Sequence, residues 1–202
     1  MAKQLTLEQI QNFKGKYPKQ IWYMFLVEMW ERFCFYGMRG VLTIFMVDQV
    51  TGGLGLSERS ANLQYGTIQA FVYAFTFVGG LFADKILGFK RSLVFGALVM
   101  IAGNFIIAFN PHTFFYIGIT FSVIGTGFFK PNITSMVGYL YKDGDHRRDA
   151  GFSLFYSGIN LGALLGGALC VYLGKSPEYG WAYAFMAAGT VMIIGLVTFL
   201  LT

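Results

Sequence analysis

Residues 28–39 read Glu28-Met-Trp-Glu31-Arg32-Phe-Cys-Phe-Tyr36-Gly37-Met-Arg39, and they lie inside the first long apolar segment of the chain. A charged side chain near the middle of a bilayer costs roughly 2.5 to 3.5 kcal/mol on insertion scales. Charges so close together therefore predict a helix that faces a polar interior cavity. Helical spacing places the charges and two aromatic rings on one stripe: Glu28, Glu31, Arg32, Phe35, Tyr36 and Arg39.

The composition around this segment is that of a membrane protein. Of the 202 residues, 55% are hydrophobic and 12% are charged, against roughly 25% charged residues in soluble domains. The sequence therefore predicts an all-α membrane protein with six transmembrane helices, each near or above the ~20 residues that span the hydrocarbon. The predicted spans are Ile21 to Val50, Asn62 to Phe82, Ser92 to Phe109, Phe114 to Tyr139, Phe152 to Leu173 and Trp181 to Leu201.

The basic residues predict the topology. The net charge is +5, which alone would permit a nucleic-acid partner. Ten cations, however, lie in what would be the amino-terminal segment and the even-numbered loops: Lys3, Lys14, Lys16, Lys19, Lys85, Lys90, Arg91, Lys142, Arg147 and Arg148. The opposite loops contain only Arg59 and Lys175. Because cytoplasmic loops are enriched in Lys and Arg, we expect residues 1–20 to be a cytoplasmic segment and residues 21–202 a transmembrane bundle ending in the cytoplasm. We expect no nucleic-acid partner.

The six spans form two triplets, and the first span of each carries cations at mid-depth. They are the first and the fourth span, three apart in order, so they enter the membrane from opposite sides, which is typical of inverted repeats with a binding site at their interface. Arg32 and Lys130 both reach the middle third of the bilayer at 1.5 Å per residue and can share one cavity. Glu28 and Glu31 would be their counterions, and a carboxylate between competing cations can couple proton binding to a second ligand. The alternatives are a static ion-pair network for the cluster and snorkelling for Lys130.

Other polar residues could extend the lining of this cavity. Tyr73 and Asn160 lie deep within their spans, whereas Tyr65 is interpreted as a residue of the interfacial belt. Glycines recur at helix-packing intervals and predict close helix contacts; they include Gly158, Gly162 and Gly166, with Gly96 and Gly103, and Gly118 and Gly125.

Enzymatic chemistry has little support in the sequence. Cys34 and Cys170 fall inside apolar segments and are interpreted as small buried hydrophobic residues. The two histidines, His112 and His146, lie in loops that face opposite sides, so no histidine-based metal site or Ser/His/Asp triad is predicted. We expect no cofactor beyond a proton as coupling ion.

Between the second and third spans stands the block Gly79-Gly80-Leu-Phe-Ala-Asp84-Lys85-Ile-Leu-Gly88-Phe-Lys90-Arg91. Its acid can face a helix terminus and its cations can meet headgroups or carboxylates. We interpret five of its residues as a conformational latch: Gly80, Asp84, Lys85, Gly88 and Arg91.

Four ordered motifs resemble those of the proton-coupled oligopeptide transporters (POT/PTR), a branch of the major facilitator superfamily. They are Glu28-x-x-Glu31-Arg32-Phe33-x-x-Tyr36-Gly37, Gly79-Gly80-x-x-Ala83-Asp84-Lys85-x-Leu87-Gly88, Gly125-x-Gly127-x-x-Lys130-Pro131-Asn132 and Phe155-Tyr156-x-x-Ile159-Asn160-x-Gly162. The resemblance implies that Glu28, Glu31, Arg32 and Lys130 take part in proton coupling. It also implies peptide contacts by Arg32, Phe35, Tyr36, Tyr73, Lys130 and Asn160.

The sequence departs from this family at two positions. Phe35 stands where many members have tyrosine, and Ala163 where serine is common, which puts a hydroxyl contact and the side-chain preference in question. Family members have twelve core spans, so the resemblance implies that this chain is the amino-terminal six-helix bundle and that its partner is a carboxy-terminal bundle. Alone, the chain is expected not to transport.

The expected function is proton-driven symport of di- and tripeptides by alternating access, across the bacterial cytoplasmic (inner) membrane. The expected partners are a small peptide, the lipid bilayer and the second bundle. Two alternatives remain: the same fold could carry another small anion or metabolite, or the chain could belong to a channel or assembly protein in which the buried charges are structural.

Overall fold

In the computed structural model, residues 6–201 are described and form seven α-helices and one π-helical turn. The short α1 (Leu7–Gln11) precedes six long helices: α2 (Lys19–Val47), α3 (Glu58–Phe82), α4 (Phe89–Phe109), α5 (Pro111–Tyr139), α6 (Arg148–Lys175) and α7 (Trp181–Leu200). The π-helical turn (Ala83–Leu87) follows α3. The cation Lys3 and the ends of the two predicted segments, residues 1–5 and 202, lie outside the described residues.

The six predicted spans are confirmed as six long helices. Five helical segments in the described part of the chain are long and apolar enough to cross a membrane: Glu58–Leu87, Phe89–Phe109, Pro111–Tyr139, Arg148–Lys175 and Trp181–Leu200. Helix α2 has 29 residues, enough for roughly 43 Å at 1.5 Å per residue. It differs from the other long helices because it carries charged residues in its middle. Neighbouring helices shield these charges, since Glu28, Glu31 and Arg32 are all buried.

The helix ends differ from the hydropathy prediction by a few residues. Helices α3 to α6 begin three or four residues before the predicted spans. Their first turns contain polar residues, and hydropathy leaves such residues out of a predicted span although they are helical. Side chains cap two of these starts: Ser57 accepts from the backbone N–H of Ser60, and Asn110 from that of Thr113. Helix α2 ends three residues early, at Val47. The carboxylate of Asp48 accepts the backbone N–H groups of residues 50, 51 and 53 and folds the chain into a turn.

The packing follows the predicted repeat. Helix α2 packs against α6 and α7, α5 packs against α3 and α4, and α4 packs against α7. If α2, α3 and α4 are exchanged for α5, α6 and α7 in that order, the α2–α6 contact becomes the α5–α3 contact and the α2–α7 contact becomes the α5–α4 contact. The α4–α7 contact is unchanged by the exchange. Two three-helix units related in this way form a single bundle, as the sequence predicted.

Glycine makes these contacts close, as predicted. On α6, Gly158, Gly162, Gly166 and Cys170 are buried on the face toward α2. A Cβ on Gly96 would lie 2.6 Å from the carbonyl oxygen of Gly125. Comparable contacts join Gly103 to Gly118 and Gly79 to Gly127. Backbones that approach this closely can pack without large apolar side chains between them.

The amino-terminal segment folds back onto the connection between α5 and α6. The Gln11 amide donates to the carbonyls of Tyr139 and Tyr141, at 3.0 and 3.3 Å. The Arg147 guanidinium donates to the carbonyls of residues 13 and 15, and it lies 3.9 Å from the ring centroid of Phe13. Beside these contacts lies a cavity of about 670 Å³, which also borders α5 and α6. Hydropathy carried no signal for this contact.

Candidate functional site

The centre of the candidate site is an arginine held between two carboxylates on α2. The Arg32 Nε lies 3.2 Å from Glu28 Oε1 and also donates to Glu31 Oε2. Glu31 is fully buried, and Glu28 and Arg32 are each 2% exposed. Helical spacing predicted that these three side chains share one stripe. Tertiary packing then removes them from both lipid and water.

This buried group is not fully satisfied by its own contacts. Among the described residues, one oxygen of each carboxylate and one guanidinium nitrogen have no hydrogen-bond partner: Glu28 Oε2, Glu31 Oε1 and Arg32 Nη2. Unpaired polar atoms in a low-dielectric interior are costly. The cluster therefore retains the capacity to bind a proton, a cation or an anionic ligand group.

Aromatic rings border the cluster and lead to a second arginine. The Arg32 guanidinium lies 5.1 Å from the ring centroid of Phe35 and 5.9 Å from that of Tyr36. The Arg39 guanidinium lies 5.8 Å from the centroid of the same Tyr36 ring. Such distances allow cation–π attraction. Two guanidinium groups therefore lie within about 6 Å of the Tyr36 ring. Phe35 is only 5% exposed, so it offers a ligand little surface in this conformation.

Arg39 connects α2 to α3 through Tyr65. Its Nε donates to the Tyr65 hydroxyl, and its guanidinium lies 5.6 Å from that ring. The interpretation of Tyr65 as a belt residue missed this contact. A signal was available, because Arg39 occupies the same stripe as Arg32 and a cation at that depth requires a partner.

Lys130 of α5 belongs to the same electrostatic environment. It interacts electrostatically with Glu28, Glu31, Arg32 and Arg39. Its Nζ lies 5.8 Å from the ring centroid of Tyr73, on α3. Within residues 6–201, no carboxylate forms a direct ion pair with Lys130. The lysine is half-buried and free to receive an acidic group.

The remaining predicted contact residues lie on exposed surfaces. Tyr73 is 68% exposed on α3. Asn160 is exposed on α6, two residues before Gly162, whose backbone packs against Arg32. Among the described residues, Asn160 makes no side-chain hydrogen bond. The structure therefore brings Glu28, Glu31, Arg32 and Lys130 together and leaves Tyr73 and Asn160 available at the surface.

The residues interpreted as a latch surround the π-helical turn. Gly80 belongs to the last turn of α3, Asp84 and Lys85 lie in the π-helical turn, and Gly88 adopts a left-handed φ of 76° before α4. Asp84, Lys85 and Arg91 are exposed. Over residues 6–201, none of these three charges forms an ion pair. A latching partner would therefore have to come from elsewhere.

Both cysteines are free and buried, as the sequence predicted. In the described part of the chain, no group of three or more His, Cys, Asp or Glu residues could hold a metal ion.

Two curated relatives align with most of the chain. It is 43% identical over 180 residues to the peptide transporter YePEPT of Yersinia enterocolitica, an alignment that covers 87% of this chain and 35% of the relative. It is 36% identical over 187 residues to dipeptide and tripeptide permease A of Serratia proteamaculans, covering 92% of this chain and 36% of that protein. The chain thus spans little more than a third of the length of these relatives, which are transporters and not enzymes.

The fold also matches solved structures. A crystal structure of a POT family transporter in complex with 5-aminolevulinic acid superposes with a TM-score of 0.90 at 33% identity, covering 98% of this chain and 41% of that one. Residues 90–202, more than half of the chain, match the family described as PTR2: POT family. The six long helices, the buried charges of α2 and these similarities lead to one conclusion: the chain is an integral membrane protein that belongs to the POT family.

Proposed function

We propose that the protein containing this chain is a proton-driven symporter of di- and tripeptides that works by alternating access in the cytoplasmic membrane. In this proposal the chain is the amino-terminal bundle, and a second bundle completes the cavity. The observation that carries the proposal is Arg32, shared by two buried carboxylates that each keep an unpaired oxygen. The distribution of cations supports cytoplasmic locations for both ends of the chain.

Charge balance explains how peptide and proton binding would be coupled. Glu28, Glu31, Arg32 and Lys130 carry two negative and two positive charges when all are ionised. A peptide carboxylate that binds Lys130 or Arg32 adds one negative charge to a region of low dielectric. Uptake of one proton by a glutamate restores neutrality. Since linkage is reciprocal, the proton then favours peptide binding by the same free energy.

The other predicted contacts would orient the peptide. The ring of Tyr36 is close to both Arg32 and Arg39, and Tyr73 lies beside Lys130. Their rings, with the exposed amide of Asn160, can bind the peptide backbone while the two cations hold its carboxylate. The peptide amino group would be held by the second bundle.

The test is uptake by the complete gene product that contains these residues, reconstituted into liposomes. Dipeptide uptake should require an inward proton gradient. Glu31→Gln should abolish gradient-driven uptake while leaving exchange of labelled for unlabelled dipeptide. The matched control is Glu58→Gln, because Glu58 is exposed in the first turn of α3. Gradient-independent uptake by the wild-type protein would contradict proton coupling.

A second candidate is transport of another small anion or metabolite by the same site. It is favoured by the related transporter whose structure contains 5-aminolevulinic acid, a compound that has an amino group and a carboxylate but no peptide bond. Competition between labelled dipeptide and a panel of carboxylates distinguishes the two candidates. Uptake near the wild-type rate after both Lys130→Ala and Glu31→Gln would instead favour a structural role for the buried charges.

A further inference from the structure

A groove of about 450 Å³ runs along an exposed face of α4, and none of the buried charges of α2 lines it. Lys90 and Arg91 line its polar end, and Val94, Phe95 and Leu98 line the rest. The side chains of Phe95 and Leu98 are 44% and 53% exposed. The ring of Phe95 packs edge-on against Phe128 of α5, with 5.0 Å between the centroids. This wall of the groove is therefore fixed by packing within the bundle.

The cations at its polar end are available to a ligand. Lys90 and Arg91 are both exposed, and neither forms an ion pair with another described residue. The charges next to them in sequence are those of Asp84 and Lys85, which are also exposed and form no ion pair with any described residue. Residues 84–91 therefore carry a net charge of +2, from three cations and one acid. This charge is complementary to a phosphate group.

The dimensions of α4 place the two cations at a membrane boundary. The helix has 21 residues, roughly 31 Å at 1.5 Å per residue, which matches a hydrocarbon core of about 30 Å. Lys90 and Arg91 stand in its first turn. Leu98 lies about 12 Å farther along the axis than Lys90, within the ~15 Å depth of one leaflet. A ligand in this groove would have its charge at the surface and its apolar part within the bilayer.

A second groove on the same helix shows what distinguishes the first. It has a volume of about 430 Å³ and is lined by Ala102, Phe105, Ile106, Phe109 and Phe114. It lies toward the opposite end of α4 and contains no charged residue in its lining. Both grooves on α4 therefore have apolar walls, but of the two only the groove at Lys90 and Arg91 also has cations in its lining.

We propose that Lys90 and Arg91 bind the phosphate of an anionic phospholipid, one acyl chain of which lies along Val94, Phe95 and Leu98. In the predicted topology this lipid belongs to the cytoplasmic leaflet, where anionic lipids attract basic residues near the membrane surface. The lipid would anchor the start of α4 beside the π-helical turn. This site is independent of the proposed transport function.

The experiment is native mass spectrometry of the complete gene product in detergent, with phosphatidylglycerol and phosphatidylcholine of identical acyl chains. We expect retention of at least one phosphatidylglycerol under conditions that remove phosphatidylcholine. The variant Lys90→Gln/Arg91→Gln should bind phosphatidylglycerol roughly 30-fold more weakly, given the loss of two basic residues near a phosphate. The control Arg59→Gln/Lys175→Gln removes the same charge from other exposed positions and should retain the lipid.

Several outcomes would overturn the proposal. Equal retention of the two lipids by the wild-type protein would do so without any variant, even if the double variant did not fold. Unchanged phosphatidylglycerol binding by a folded Lys90→Gln/Arg91→Gln variant would show that these two cations do not hold the lipid. Thermal stabilisation by inorganic phosphate equal to that by phosphatidylglycerol would indicate a free anion in place of a lipid.

Discussion

The indole Nε1 of Trp181 donates a hydrogen bond to Asp48 Oδ2 at 2.9 Å and joins the start of α7 to the turn that ends α2. The same carboxylate accepts hydrogen bonds from Thr51 and from the backbone N–H of Gly53. The Trp181 ring packs against Phe45, with 5.5 Å between the centroids. One aspartate therefore shapes a loop and fastens two helices at the end of the bundle opposite the amino-terminal segment.

We predict that Trp181→Phe lowers the free energy of unfolding by about 1 to 3 kcal/mol, because it removes a donor to a charged acceptor and keeps most of the apolar packing. Thermal unfolding of the complete protein in detergent measures the change. Tyr183→Phe is the control, since Tyr183 is 47% exposed on the same helix. Equal melting temperatures for the two variants would contradict a stabilising role for this hydrogen bond.

Stability should also depend on the ionisation of Asp48. Partial burial acts to raise its pKa, but hydrogen bonds from Thr51, Trp181 and the backbone of Val50 outweigh it and lower the pKa from 3.8 to about 2. Because the folded-state pKa is depressed, the contribution is complete above about pH 4 and is lost as the pH falls toward 2. Between pH 5 and 2.5, Asp48→Asn should lose less stability than the wild-type protein. If both proteins lost the same stability over this pH range, the ionisation of Asp48 would not contribute to the free energy of unfolding.

The crossing of α3 and α5 should tolerate no side chain at Gly79. A Cβ there would overlap the carbonyl oxygen of Gly127, which Pro131, lacking an N–H, cannot engage in a helical hydrogen bond. Gly79→Ala should destabilise the protein by about 1 to 3 kcal/mol. Gly66→Ala on the same helix has open space around the new methyl group and should be neutral or stabilising. Equal effects of the two substitutions on thermal unfolding would contradict this account.

The hydroxyl of Tyr65 should stabilise the protein through its hydrogen bond with Arg39. Tyr65→Phe keeps the ring and removes the acceptor of the Arg39 Nε hydrogen bond. We expect a loss of about 1 to 3 kcal/mol in thermal unfolding, since a half-buried guanidinium loses a partner. Tyr73→Phe is the matched control, because within the described residues the Tyr73 hydroxyl forms no hydrogen bond. If both variants unfold like the wild type, the Tyr65 hydroxyl contributes nothing.

The amino-terminal segment should detach when Arg147 is removed. Arg147 donates to the carbonyls of residues 13 and 15, and Asp145 holds it in place. Hydrogen bonds from Arg147 keep the pKa of Asp145 at about 2, so this contact persists at neutral pH. Arg147→Ala should raise amide hydrogen exchange in residues 10–17. Arg148→Ala should not, since its guanidinium lies over Phe152. Unchanged exchange in Arg147→Ala would show that other contacts suffice.

Much of the fold followed from local signals in the sequence. Apolar length predicted six long helices, and glycine spacing predicted the contacts of Gly162 on α6 and Gly96 on α4. Side chains that end or cap helices were harder to recognise. Asp48 ends α2 because its carboxylate competes for backbone N–H groups, and a hydropathy average cannot register that competition.

The sequence alone determined that Glu28, Glu31 and Arg32 share a helical stripe, because α-helical spacing is a property of the backbone. It also determined that these charges need shelter from lipid, because a bilayer does not solvate them. Only the tertiary structure decided what shelters them and what faces them. Depth along the helices had predicted that Lys130 and Tyr73 could share the cavity, but the contact of Tyr65 with Arg39 emerged only from the packing. The distances between helices depend on which glycines allow close approach. Partner choice across helices is a property of packing, which the order of residues along one helix does not contain.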